Sequence, residues 1–426
     1  MIDLFNRFFS QLNASAIPYG ITGRSEDYPQ TLDSDIDIII PTNAFQSFWS
    51  FMHHLEQDAI DWVQVISHEK TAHYCIISVA RKSKHVLLKP DVCSDYYRRG
   101  TLFLKADYLL ENRVLSPKGF FQLAPAREFI YYLLKKVDKG HITPDQFQHL
   151  HLQWKQDPSG CSSACFPFFG PKLQSILRCS FNDNDASLFS DHLSAFRKDL
   201  HHKLNRNLTG QLKHLSNRVL RVLQPTGLVV AFMGPDGSGK TTVINGVKET
   251  LGEAFRQNKQ FHLTSREPTN GVPNANPHSE SPRGFAGSLM KLAYLLVHYL
   301  TGHWTKIYPL KVKSTLVIFD RYYHDLLIDP RRYRHGASAV WVKIVSFFIP
   351  KPDLWILMDA SPEIVQSRKS EVSPQETQRQ VLAYQRLFSN LKNAYIVNAN
   401  QSPRDTILDA EKIIMGHLKQ RTKYRN

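Results

Sequence analysis

Two groups of residues in this sequence have the types and spacing to do chemistry. The first is Gly234-Pro-Asp-Gly-Ser-Gly-Lys240-Thr241. Glycines at these positions let successive backbone N–H groups curl round an anion, and a helix opening at the lysine adds partial positive charge. Lys240 would reach the β- and γ-phosphates of ATP or GTP, and the Thr241 hydroxyl would ligate Mg²⁺. Gly234, Asp236, Gly237, Ser238, Gly239, Lys240, Thr241 and Thr242 are the candidate nucleotide-binding residues. The second group is Asp35 and Asp37, at alternate positions of Ser34-Asp-Ile-Asp-Ile-Ile-Ile40. On a strand both carboxylates would point to one face. That suits a divalent metal carrying a nucleoside triphosphate, and Asp91, after Val86–Leu88, is a candidate third ligand. The same spacing also describes a solvent-facing acidic strand end.

Further charged residues sit at the ends of apolar runs. Asp320 follows Leu316-Val-Ile-Phe319 and could complete the Mg²⁺ shell or accept a proton from an attacking group. Arg321 comes next and could clamp an acceptor phosphate through two N–H donors. Asp359 ends Leu354–Met358, and Arg368, Lys369 and Arg379 flank a short turn at Ser373-Pro374. Cations on both sides of such a segment suit a lid that closes over phosphates, or a solvated basic face.

The elements that must position these groups divide the chain into three stretches. Residues 1–110 combine a helical opening with short β-branched runs, residues 111–224 are mainly helical with a turn-rich break around Asp157–Gly170, and residues 225–426 begin on the buried-strand signal Leu228–Met233. Phe285–Leu300 carries apolar residues at helical spacing, is interrupted by Lys291 and His298, and is shorter than the ~20 residues of a spanning helix.

Gly-Pro-Asp-Gly-Ser-Gly-Lys-Thr-Thr, then Ser265-Arg-Glu-Pro268, then Asp320-Arg-Tyr322, then Leu-Met-Asp359 with its basic segment, resembles thymidylate kinase and its relatives over about residues 226–420. The resemblance implies a P-loop kinase that moves the γ-phosphoryl group of ATP to a nucleoside monophosphate. It places Arg266 and Arg321 on the acceptor phosphate, Asp236 near the acceptor's sugar, and Arg368 in the lid as the extra cation of the transition state. Catalysis would then fall to Lys240, Asp320, Arg321 and Arg368, with Thr241 and Asp320 at the metal. Where thymidylate kinases show a Ser…Ala-Tyr-Gln segment, this chain reads Asp325-Leu-Leu-Ile-Asp-Pro-Arg-Arg-Tyr-Arg334. The helix before Asp320 also lacks the family's Arg/His pair, and a Pro/Asn-rich stretch, Thr269–Pro282, follows the Arg-Glu-Pro motif.

The Asp35/Asp37 pattern resembles DNA polymerase β-type nucleotidyltransferases over about residues 15–140, with Gly23-Arg24-Ser25 an imperfect match to that family's Gly-Ser. The whole chain is similar to a subgroup that joins both parts, found among surface-polysaccharide functions. The expected fold class is α/β: a C-terminal P-loop NTPase with a parallel sheet, nucleoside monophosphate kinase-like, preceded by an α+β nucleotidyltransferase-like domain with a helical extension. The expected domains are 1–110, 111–224 and 225–426.

Composition narrows the partners. Lys+Arg number 53 against Asp+Glu 38, a formal net charge of +15 over 426 residues. Residues 1–224 contribute +4 and residues 225–426 contribute +11, so the excess lies where the phosphate-handling motifs lie. Small phosphorylated ligands fit this better than a nucleic-acid surface does. Five scattered cysteines make no disulfide framework and point to a reducing compartment. The opening segment lacks a signal-peptide pattern, so a cytoplasmic protein is expected. Cys161 and Cys165 with His149 and His151 match no common zinc spacing. The expected reaction is Mg²⁺-dependent transfer from ATP to a monophosphate, dTMP or a related nucleotide. The alternatives are a sugar-phosphate kinase, nucleotidyl transfer at Asp35/Asp37 with a regulatory P-loop unit, and an ATP switch on nucleic acid. ATP, Mg²⁺ and a small phosphorylated acceptor are the expected partners, and a homodimer is left open.

Overall fold

Leu4, Phe5, Phe8, Phe9 and Leu12 recur at helical spacing, and Ile2–Ala14 is a helix that buries all five. The computed structural model describes residues 1–32, 35–55, 60–69, 71–80, 85–98, 101–204, 219–264, 281–369 and 372–423. Two compact units are present: Met1–Val79 with Val86–Leu220, and Arg221–Asn426 with Ala80–His85.

The first unit holds strands β1 (Gly20–Ile21), β2 (Ile36–Ile39), β3 (Asp61–Glu69), β4 (Ala72–Ala80), β5 (His85–Leu88) and β6 (Pro90–Cys93). A separate hairpin of β7 (Tyr96–Arg98) and β8 (Thr101–Leu104) follows, and then β9 (Val114–Leu115) and β10 (Phe121–Gln122). The sheet runs β3-β4-β6-β2-β1-β10-β9, with β5 on β4. Strands β2 and β6 are parallel, and their register sets Asp37 opposite Asp91.

Five helices follow, from Pro125–Lys139 to Ala186–Leu204. Four of them open with proline in the first turn, where a missing N–H costs nothing and φ is already helical. Phe129, Phe147, Trp154, Phe181, Phe189 and Phe196 fill their shared core. The expected break around Asp157–Gly170 is instead largely a helix, Pro158–Cys165. Asp157 caps it by accepting from the Gly160 N–H, and Cys161, Ala164 and Cys165 bury one face. A cap and burial outweigh the low helix propensity of Ser and Gly. The continuation expected beyond Leu204 falls partly on residues 205–218, outside the described residues.

The second unit is an α/β layer structure around β11 (Leu228–Met233), β12 (Gln257–His262), β13 (Thr315–Asp320), β14 (Leu354–Asp359) and β15 (Ala394–Asn398). All pairings are parallel, in the order β12-β13-β11-β14-β15. β11 is buried along its whole length, as a central strand covered on both faces must be. On one face Val229, Ala231 and Met233 meet Leu292, Leu295 and Tyr299 of the helix Phe285–Gly302. Strand order reverses at β11, between β13 and β14, so the C-terminal edge there opens a crevice where ligands bind in such sheets. Among the described residues, no helix is long and apolar enough to cross a membrane.

Candidate active site

The loop Gly234–Gly239 leaves β11 at that crevice and leads into the helix Lys240–Leu251. Its tight curl depends on Gly237, at φ +86°. A Cβ there would lie 2.8 Å from the Val365 carbonyl as well as straining the backbone. Lys240 folds back on its own loop, its Nζ donating to the carbonyls of Gly234 and Pro235 at 2.8 Å each. Burial, then the nearby Arg321 charge, push its pKa down to about 8 against the opposing pull of Asp236, Asp320 and Asp325. Thr241 and Thr242 are exposed, whereas Ser238 is buried.

Strand β13 delivers Asp320 and Arg321 to the same edge. Arg321 sits at φ +71°, a left-handed conformation costly for a side-chain-bearing residue. The Arg321 N–H donates to the Phe232 carbonyl at 2.9 Å, which holds the turn against β11. The guanidinium is buried and bridges two carboxylates: Nη1 donates to Asp325 Oδ2 and Nη2 to Asp236 Oδ1. Asp325 is fully buried and also accepts from the Tyr333 and Tyr384 hydroxyls, at 2.9 and 2.5 Å. Burial works against the Arg321 charge, but the surrounding carboxylates more than offset it and hold its pKa well above the ordinary value. Arg332 completes the group, donating through Nη1 to Asp236 Oδ2.

Asp320 fits a hard cation. Its Oδ1 is buried and meets no hydrogen-bond partner among the described residues, a costly state that a bound metal or its water would relieve. Burial raises its pKa, but His262, whose Nδ1 lies 3.8 Å from Oδ2, and the Lys240 charge together hold it below the usual carboxylate range. Asp320 and Thr241 are the residues that would hold Mg²⁺ beside a triphosphate.

The basic segment after β14 splits its duties. Arg368 ends the helix Pro362–Arg368 and donates to the Ala399 carbonyl at 3.3 Å. It lines a pocket with Gly239, Thr242, Ala399, Gln401 and Thr406. Lys369 instead lines a small pocket with Asp236, Arg321, Asp329, Arg332 and Gln380. Arg379 is engaged with Glu376 of its own helix and with the Ile328 carbonyl. Arg266 lies outside the described residues.

In the first unit the expected carboxylate triad takes a different form. Asp35 precedes β2 and accepts from the Tyr74 hydroxyl at 2.9 Å, whereas Asp91 lies within its own strand, β6. Asp37 and Asp91 are neighbours by register, but Lys135 Nζ stands 3.0 Å from Asp37 Oδ2. Burial disfavours the ammonium, yet Asp37 outweighs it and raises the lysine pKa. Among the described residues, no group of three or more His, Cys, Asp or Glu is placed to hold a metal ion. As arranged, Asp35 is turned to Tyr74 and Lys135 occupies an oxygen of Asp37, so the three carboxylates do not gather on one metal position.

Gly23 is held by Glu128, which accepts from its N–H at 2.9 Å and also meets His149 Nε2 at 2.9 Å. His149 Nδ1 reaches Glu26 at 3.2 Å, so this ring serves the Gly23–Glu26 turn. His151 Nδ1 pairs with the Phe181 carbonyl, and burial pushes the Cys161 and Cys165 thiols up. No zinc chemistry gathers there among the described residues. Sequence spacing did not single out Lys135, Arg332 or Asp325 as site residues. Arg332 and Asp325 stand in the segment that departs from the thymidylate kinase pattern, which was the available signal.

Residues 232–414 match the family described as Thymidylate kinase. A "Probable thymidylate kinase 1" of Saccharolobus solfataricus is 29% identical over 204 residues, covering 45% of this chain and 98% of the relative. A "Thymidylate kinase" of Xanthomonas euvesicatoria is 27% identical over 208 residues, covering 47% and 88%. A solved structure of deoxyadenosine kinase from M. mycoides with bound dATP aligns with 45% of this chain and 100% of its own. Its identity is 17% and its TM-score 0.31, too low to argue from. The chain therefore carries a thymidylate kinase-like domain over residues 232–414, built on a parallel five-stranded sheet.

Proposed function

We propose that the second unit is a phosphotransferase that moves the γ-phosphoryl group of ATP to a monophosphate, dTMP or a related nucleotide. The observation that carries this reading is the meeting of Arg321, from the end of β13, with Asp236 of the phosphate-binding loop. It sets a buried cation for an acceptor beside the cradle for a donor. The residues then act by position and charge. Loop N–H groups and Lys240 hold the donor phosphates, Lys240 leaving its two carbonyls to do so. Arg321, braced by Asp325, orients the acceptor phosphate for in-line attack. Mg²⁺ bound by Thr241 and Asp320 would neutralise charge on the transferring group. Arg368 and the Ala399–Gln401 turn offer walls for the donor's base.

A screen of nucleoside and sugar monophosphates for acceptor-stimulated ADP formation tests the reading. One or more should stimulate, and Lys240→Ala should abolish the stimulation. Unchanged turnover in that variant would sink it. A second reading, nucleotidyl transfer in the first unit, is favoured by the Asp37–Asp91 register and requires Lys135 to withdraw. Pyrophosphate release lost in Asp37→Asn and retained in Lys240→Ala would support it.

A further inference from the structure

Asp236 is held edge-on by two guanidinia. Arg321 donates to its Oδ1 and Arg332 to its Oδ2. The two arginines are supported differently. Arg321 already has a charge partner in the fully buried Asp325, which the Tyr333 and Tyr384 hydroxyls brace. Arg332 is anchored through its backbone, its N–H donating to Asp329 Oδ1 at 3.1 Å. Asp329 is itself buried and takes a hydrogen bond from Gln380 Nε2 at 3.3 Å. Both guanidinium heads therefore present donors to one small pocket, which Lys369 also lines. The carboxylate that both guanidinia share, Asp236, stands on a glycine-flanked loop, and Asp329 lines the same pocket.

Two planar forks converging on a pair of anionic oxygens is the geometry by which proteins grip phosphate. A carboxylate edge offers the same pair of acceptors with a single charge. A phosphate monoester offers three oxygens and close to two charges above its second pKa of about 6. The exchange therefore favours the phosphate, and Asp236, only partly buried, can yield.

We propose that Arg332 is a second acceptor-phosphate ligand beside Arg321, and that Asp236 is a placeholder which the acceptor's phosphate displaces from both arginines. The proposal rests on the phosphotransferase reading. It assigns a site role to the segment Asp325–Arg334, where the chain departs from the thymidylate kinase pattern.

Calorimetric binding to the 426-residue chain saturated with Mg²⁺ and a non-hydrolysable ATP analogue tests this. The probes are dTMP, AMP, ribose 5-phosphate and glucose 1-phosphate. For whichever probe binds the wild type, Arg332→Ala should weaken binding at least tenfold and Arg332→Lys should restore part of it. The exposed neighbour Arg331→Ala should leave binding unchanged. Asp236→Asn should tighten binding several-fold, and that gain should vanish in the double variant with Arg332→Ala. A far-ultraviolet circular dichroism spectrum and thermal midpoint like the wild type's show that each variant is folded. Undiminished binding by Arg332→Ala overturns the assignment of Arg332. Weaker binding by Asp236→Asn overturns the placeholder role and makes Asp236 a direct ligand. If no probe binds the wild type although the ATP analogue does, the phosphotransferase reading fails and the proposal falls with it.

Discussion

Arg368 Nη1 donates to the Ala399 carbonyl at 3.3 Å, joining the end of one helix to the turn after β15. The same side chain lines a pocket walled by Ser238 and Gly239 of the loop, by Thr242, and by Gln401 and Thr406. On the phosphotransferase reading, a cation that reaches the Ala399 turn would serve donor binding.

Arg368→Ala should accordingly raise the KM for ATP about tenfold or more, while kcat changes less than threefold. Steady-state kinetics at saturating acceptor decides it. A fall in kcat of a hundredfold with an unchanged KM would return Arg368 to the role of transition-state cation.

Lys240 gives a proton signature. Its pKa in the free protein is about 8, below the ordinary lysine value, because burial and Arg321 disfavour the charged form. A triphosphate restores that charge. ATP binding should therefore take up a proton near pH 9 and very little at pH 7, and affinity should fall as pH rises above about 8. Binding heats at pH 9 in two buffers of different ionisation enthalpy should differ. Identical heats would show that Lys240 is already charged in the free protein.

His149 links the first unit's stability to pH. Burial lowers its pKa, but the hydrogen bonds to Glu128 and Glu26 win and raise it to about 9 from an ordinary 6.5. The folded state thus binds the imidazolium more tightly than the unfolded chain does. The stabilisation is fully present below about pH 6.5 and is lost as pH rises through 9, on the order of 3 kcal/mol for a shift of that size. Urea unfolding of the wild type should show that loss between pH 6.5 and 9, and His149→Gln should be flat across the window. A wild-type profile as flat as the variant's would refute the linkage.

Lys135 decides the metal chemistry of the Asp37–Asp91 pair. Without nucleotide, the wild type should bind no Mn²⁺ at this pair at micromolar concentrations. Lys135→Gln, which removes the resident cation, should gain one such ion, and Asp37→Asn should abolish the gain. Electron paramagnetic resonance of free Mn²⁺ counts the bound ions. A wild-type ion that disappears in Asp37→Asn would make this a metal site after all.

Much of the second unit was legible in the sequence. Leu228–Met233, Leu316–Phe319 and Leu354–Met358 are short apolar runs of strand length, and the Gly234–Thr241 spacing specifies a loop between a strand and a helix. These signals are local, because backbone propensity and burial pattern act over neighbouring residues. The helix at Pro158–Cys165 was hidden, since Ser and Gly there speak against a helix and only Asp157 and the buried cysteines reverse that. The charged partners were hidden for another reason. Spacing offers no way to know which loop comes to face which strand end.

By itself, then, the sequence determined that a phosphate-binding loop stands between an apolar strand and a helix, and that charged residues end the strands around it. The tertiary structure alone decided that Asp236 faces Arg332, 96 positions away, and that Lys135 reaches Asp37 across 98. Contacts of that separation form only once the parallel order β12-β13-β11-β14-β15 and the β2–β6 register have brought distant strand ends to one edge. There, desolvation makes each charge require an opposite partner, so the fold that gathers the charges also determines how they pair.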